Sequence, residues 1–195
     1  MHYYYKKYPF LHYNYRDYDG RWTMFSVPPS MLAEVFKERF GYAPKTFFDC
    51  GAATGEIVYR ARQLGLDARG IDIREYPSQG EHLARLFAEK KIEIKSILDV
   101  PPIKSDLAYC NGTLYYLTEQ ELPRALQKFR DCKMLFAIHN TTEDIEAAEK
   151  MGWDLYKEDR LIKSINWWVN TFKENGFDVD YIRKINCFCA MPRTR

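Results

Sequence analysis

The residues best suited to chemistry lie in one stretch, Thr46–Glu56, which reads TFFDCGAATGE. An apolar run ends in Asp49, a turn follows with Gly51 and Gly55, and an amphipathic run begins. Gly51 carries no Cβ, so a ligand can approach the backbone, and free N–H groups at the start of the next helix are expected to face it. Dinucleotide sites space their glycines G-x-G-x-x-G, whereas this turn has G-x-x-x-G with a carboxylate, Asp49, at the strand end. A carboxylate there repels a pyrophosphate and attracts a cationic amino-acid group. A second acid, Asp72, follows the run ARGI at the expected end of the next strand. An acid in that place can accept hydrogen bonds from both hydroxyls of a ribose, a device that nicotinamide-binding folds share. The two acids together favour a nucleoside ligand bearing ammonium and sulfonium charge and no phosphate. His139, at the end of a later apolar run, is of a type that deprotonates a substrate hydroxyl near neutral pH.

Positioning these residues requires strands and helices in alternation. Pro28 and Pro29 suit a helix start, Leu32, Val35, Phe36 and Phe40 fall on one helical face, and Gly41 suits its end. The pattern predicts strands over Thr46–Cys50, Ala68–Ile73, Ile92–Lys95, Asp106–Cys110 and Met134–His139. It predicts helices over Gly55–Leu64, Gln79–Lys90 and Thr118–Arg130. The strands are nearly continuous apolar runs, as parallel strands covered on both faces are, so the expected class is α/β with a doubly wound sheet. Thr141–Asp159 reads as a helix plus loop, and Leu161–Asn175 as a helix closed by Gly176. Two final strands, Val179–Ile185 and Asn186–Met191, are joined too closely for a parallel crossover and should pair antiparallel.

With these motifs in place, the chain resembles the class I S-adenosylmethionine-dependent methyltransferases over roughly residues 28–191. The resemblance rests on DCGAATG (Asp49–Gly55), GIDI (Gly70–Ile73), SDLAYCNGTLYYL (Ser105–Leu117) and RLIKSINWWVNTFKENGFDV (Arg160–Val179). It implies a Rossmann-like, seven-stranded, mostly parallel sheet with an antiparallel last strand. S-adenosylmethionine is the implied cofactor, with S-adenosylhomocysteine as product. Asp49 and the backbone of Gly51, Ala52 and Ala53 would then hold the methionine end, Asp72 the ribose, and Ile73 the adenine. Ser96 and Ile97 fall where the family has an acidic and an apolar residue near the adenine amine, with Asp99 as an alternative acid. Asn111 and Gly112 would line the site below the sulfonium, and Tyr115 and Tyr116 would lie beside the acceptor. Ala53 stands where the family most often has glycine, a change that a negative φ would accommodate. Methyl transfer from a sulfonium is an in-line displacement, so alignment supplies much of the acceleration and a general base is optional. His139 and Tyr115 are the candidate catalytic residues.

Composition bounds the rest. The chain has 195 residues, 46% hydrophobic and 29% charged, which suits one compact domain, residues 26–195, behind an arm of residues 1–25. No apolar run is long enough for a membrane span, and the start lacks the uninterrupted stretch of a secretory signal. A net charge of +2 makes no strong basic footprint. Five cysteines, irregularly spaced and without C-x-x-C, argue against a disulfide framework and a zinc site and for a reducing cytoplasm. The tyrosine-rich arm reads as a lid bringing Arg21 and Trp22 over the acceptor, as a stacking surface for single-stranded nucleic acid, or as packing or a homodimer contact. A small-molecule acceptor is the leading expectation. RNA or protein acceptors, or a non-catalytic module that kept the fold, are the alternatives. The N/D-P-P-Y/F motif of DNA adenine methylation is missing, since the position reads Asn111-Gly112-Thr113-Leu114.

Overall fold

A computed structural model describes residues 27–74, 81–150, 161–183 and 187–193, with the backbone of Tyr15–Arg16 (β1) and Trp22–Thr23 (β2). β1 and β2 pair antiparallel in a sheet of their own. The rest of the arm and the side chain of Trp22 lie outside the described residues, as does the segment 151–160 after the fifth helix.

The main sheet contains β3 (Thr46–Cys50), β4 (Asp67–Asp72), β5 (Ile92–Ile94), β6 (Leu107–Asn111), β7 (Met134–Ile138), β8 (Phe177–Ile182) and β9 (Cys187–Pro192). Its spatial order is β5-β4-β3-β6-β7-β9-β8. The first five are parallel, while β9 runs antiparallel to both of its neighbours. The chain starts in the middle at β3, winds outward through β4 and β5, and then crosses back to β6 and β7. The strand order therefore reverses between β3 and β6, and beyond the carboxyl ends at that point is where a doubly wound sheet forms its ligand crevice.

The helices are α1 (Pro29–Phe40), α2 (Glu56–Gln63), α3 (Glu81–Ala88), α4 (Leu122–Lys128), α5 (Thr142–Glu149) and α6 (Ile165–Glu174). α1 ends as its sequence predicts, with Gly41 in the left-handed region at φ 77°. α5 begins with a reciprocal capping box between Thr141 and Asp144.

Alternation along each strand divides the core into two layers. On one face Phe47, Ala68, Leu107, Tyr109, Met134 and Phe136 pack with Leu32 and Phe36 of α1 and with Ile57, Val58 and Ala61 of α2. On the other, Phe48, Ala108, Leu135 and Phe188 pack with Leu122 and Leu126 of α4 and with Trp168 and Phe172 of α6. Each such large side chain, fully buried, contributes about 1.5–3 kcal/mol. The five cysteines are free and buried, with Cys187 and Cys189 on the first face and Cys50, Cys110 and Cys132 on the second.

Two differences from the sequence-based expectation have local causes. β8 starts at Phe177 instead of Val179, because Gly176, at φ 85°, turns the chain at once into the sheet. The Arg130 guanidinium fills the space that a Cβ on Gly176 would need and donates to the carbonyls of Asn175 and Gly176 at 3.0 and 2.7 Å. The second difference concerns Ala53, expected at negative φ and found at φ 48°. An L-residue in that region costs about 1–2 kcal/mol. A hydrogen bond from the Ala53 N–H to Asp72 Oδ2, 2.8 Å, holds it there.

Ala53→Gly should therefore stabilise the protein by up to about 1 kcal/mol, the strain relief exceeding the extra entropy of the unfolded chain. Urea denaturation checks this, and a loss of stability would mean that the residue is not strained.

Candidate functional site

The crevice between β3 and β6 gathers most of the residues singled out from the sequence. Asp49 and Asp72 fall on the same face of the sheet, because Asp49 pairs in register with Gly70, two residues before Asp72. Gly70 has to be bare, since a Cβ there would meet Ala52 Cβ and the Asp49 carbonyl at 2.9 Å. The two carboxyls stand close to each other in a largely dry place: Asp49 is 2% exposed and Asp72 7%. Burial, and secondarily the charge of Asp72, pushes the Asp49 carboxyl up to about 8. Burial also raises Asp72, opposed by backbone N–H groups of Ala53, Arg74 and Ile73. No donor among the described residues hydrogen-bonds the Asp49 carboxyl, so in the free protein it keeps its proton at neutral pH.

Four N–H groups of the glycine turn are engaged within the fold. Those of Gly51 and Ala52 both donate to Ile71 O at 2.9 Å, that of Ala53 to Asp72, and that of Gly55 to Ala52 O at 2.8 Å. These four donors are spent inside the fold. An anion needs free donors and finds none of these four. A cation with N–H groups meets the acid of Asp49 and the remaining lone pairs of Asp72. Gly55 serves packing, since a Cβ there would strike Ile92 and Leu86.

Around this centre, Ile73 stands 74% exposed just beyond Asp72, an open apolar surface. Ser96 is half-buried, and its hydroxyl accepts the Leu98 N–H at 3.2 Å. Ile97 is sunk in the second core layer, so it supports the rim from below, while Asp99 is exposed. Asn111 ends β6 on the same face as Asp49 by strand alternation, and Gly112 follows at φ 63°. The Tyr115 ring lies 3.5 Å from where a Gly112 Cβ would be. Tyr115 is itself buried, and Tyr116 beside it is 52% exposed at the rim.

His139 is not at the rim. Leu135 and Ala137 point into the second core layer, and alternation carries His139 to that same face, opposite Asp49 and Asp72. Its ring lies 3.8 Å from Trp168, 4.9 Å from Phe188 and 6.3 Å from Tyr115, and it is 3% exposed. Burial lowers its pKa to about 3. Neither ring nitrogen has a hydrogen-bond partner among the described residues, nor does the adjacent Trp168 Nε1. An imidazole so placed is neutral and weakly basic, and its burial away from the rim argues against the expected general base. Thr113, which the reading by residue type passed over, does reach the site. Its hydroxyl donates to the Cys50 carbonyl at 2.8 Å. Among the described residues no cluster of three or more His, Cys, Asp or Glu is placed to hold a metal, and no helix is long and apolar enough to cross a membrane.

No protein-family model matches the sequence, and no curated protein matches it. Solved structures do resemble it in three dimensions. The sugar N-methyltransferase KedS8 from Streptoalloteichus sp. superposes with a TM-score of 0.65 at 13% identity, over 87% of this chain and 88% of its own. The Burkholderia thailandensis 1,6-didemethyltoxoflavin-N1-methyltransferase, solved with 1,6-didemethyltoxoflavin and S-adenosylhomocysteine bound, does so at 0.59 and 11% identity, over 85% and 78%. The small RNA methyltransferase HEN1 gives 0.63 at 12% identity over 86% of this chain, which spans 25% of HEN1. The sheet order, the antiparallel β9 and these superpositions agree: the chain has the Rossmann-like fold of the class I S-adenosylmethionine-dependent methyltransferases.

Proposed function

We propose that the chain binds S-adenosylmethionine and transfers its methyl group to a small-molecule acceptor by in-line displacement. The observation that carries this reading is the pair of carboxyls that stand on one face at the strand-order reversal, beside a turn that spends four of its N–H groups inside the fold. That site suits a ligand with a cationic amino-acid end and a ribose, and it disfavours a pyrophosphate. Asp49 takes the ammonium, Asp72 the ribose hydroxyls, Ile73 one face of the adenine, and Ser96 the adenine edge, with Ile97 packed beneath it. Asn111 and Gly112 line the floor below the sulfonium.

The cofactor supplies an already activated leaving group. This chain's part is to hold the methyl donor and the acceptor in line and to keep water away. Tyr116, exposed at the crevice rim, is proposed to contact the acceptor, with the buried Tyr115 ring setting its position. Trp22 and the arm are proposed to close over it. His139 shapes the aromatic floor and takes no proton. Neighbours that span most of their own length with this chain include a sugar and a toxoflavin-precursor methyltransferase, which supports a small acceptor over RNA. Five free, buried thiols support a reducing, cytoplasmic setting.

Calorimetric titration with S-adenosylhomocysteine, with NAD as the control, tests the cofactor. The expected result is micromolar binding of the former alone, weakened at least tenfold by Asp72→Ala. Binding of neither, or of NAD, would refute the reading.

A proton should leave on binding, because a ligand ammonium beside Asp49 favours its ionised form. Affinity should therefore rise with pH, by up to about tenfold per unit below the free-state value of about 8. Asp49→Asn should flatten this dependence and weaken binding. The same substitution should also change stability. In the free protein Asp49 titrates higher folded than unfolded, so its contribution is full below about pH 4 and is lost as pH rises toward 8. Asp49→Asn removes that loss and should raise the melting temperature of the free protein at pH 8 relative to wild type. Thermal melts across pH 5–8 check the sign.

A further inference from the structure

The turn after β3 and the turn after β6 come from chain segments 63 residues apart, yet one side chain joins them. Thr113 begins the short 3-10 turn Leu114–Tyr116. A threonine in such a place normally accepts a hydrogen bond from an N–H of the turn it starts. Thr113 makes no such cap. Its hydroxyl instead crosses the crevice floor and donates to Cys50 O at 2.8 Å, with Asn111 O at 3.3 Å. A hydroxyl has one proton, and the shorter contact takes it.

The fit is tight on the other side as well. Gly51 sits at φ 85°, and a Cβ built there would overlap Thr113 Oγ1 and stand 3.1 Å from Thr113 Cβ. The space that a side chain on Gly51 would fill is thus occupied by Thr113. Cys50, the last residue of β3, pairs in register with Cys110, one residue before the end of β6, and the two turns diverge just beyond. Beyond that pair the β3 turn is sewn to β4 through Ile71 O, and the β6 turn to β7 through the Gly112 N–H to Ile138 O, 2.7 Å. Each turn is therefore bound to its outer neighbour. Thr113 is a side-chain clasp across the gap between them.

We propose that Thr113 is a positioning residue for the cofactor site: its hydroxyl sets the separation of the two turns, so that the Asp49–Ala53 segment and the Asn111–Gly112 segment can line one ligand. On this view Gly51 is bare to admit Thr113 as much as to admit a ligand. The proposal rests on the cofactor reading above, but the clasp itself has a test that needs no ligand.

Amide hydrogen exchange on the free protein, followed over residues 47–58, compares wild type with Thr113→Ser and Thr113→Val. Serine keeps the hydroxyl, and valine keeps the shape without it. Exchange of this segment should quicken at least tenfold in Thr113→Val and stay near wild type in Thr113→Ser. S-adenosylhomocysteine affinity should fall about tenfold in the valine variant and be retained within about twofold in the serine variant. If valine distorts the fold, as circular dichroism would reveal, Thr113→Ala replaces it. Unchanged exchange in the hydroxyl-free variant, or a serine variant as fast as it, overturns the proposal. Faster exchange with unchanged affinity also overturns it, because the clasp would then hold the turn without serving the ligand. Wild-type protein that binds no S-adenosylhomocysteine removes the cofactor reading and with it the ligand role, while the exchange data still decide whether the clasp exists.

Discussion

A parallel strand covered on both faces and paired on both edges can present chemistry only where it ends. β3 is such a strand: β4 and β6 flank it, and the two core layers cover it. Everything else about the site follows from that confinement. The ligand surface has to be built from the residues at and just after the strand's carboxyl end, and from whatever the neighbouring strands bring to the same level. Asp49, one residue before the end, is consequently more buried than a surface acid would be, and its proton affinity rises with that burial. The site thus holds a neutral acid beside a second carboxyl.

The two core layers play unequal parts. On the α1–α3 side, strand alternation delivers Asp49, Asp72 and Asn111 to the crevice. The α4–α6 side is a dense aromatic block in which Trp168, Phe172, Phe177 and Phe188 are all fully buried. His139 belongs to this block. Its nitrogens find no partner among the described residues, and a group left unsatisfied in an apolar setting costs about 1–3 kcal/mol. Stacking on Phe188 at an interplanar angle of 12° returns part of this.

Much of this could be read beforehand where the determinants are local. β3 was legible to its ends because an apolar run stops at a glycine turn. α1 was legible because a proline pair and a glycine punctuate it. The antiparallel β8–β9 pair followed from the shortness of its connection. What stayed hidden depends on partners far away in sequence. The positive φ of Ala53 is set by Asp72, and the use of the Gly51 and Ala52 N–H groups by Ile71. Neither can be seen in the turn itself. The misplacement of His139 is of another kind. Alternation from Leu135 and Ala137 already puts it on the far side from Asp49, but only once the pairing of β6 with β7 says which side that is. The clasp by Thr113 was invisible because threonine after an Asn-Gly pair reads as ordinary turn chemistry.

The distribution of the thiols has a consequence of its own. All five are buried, and burial suppresses the thiolate form of Cys110, Cys132, Cys187 and Cys189. A bulky thiol reagent therefore labels a cysteine only when the surrounding packing parts, and the labelling rate measures opening instead of surface access. Because Cys187 and Cys189 lie under one helical layer and Cys50, Cys110 and Cys132 under the other, the molecule carries an internal chemical witness on each side of its sheet. The order in which these groups are labelled tells which layer lifts first.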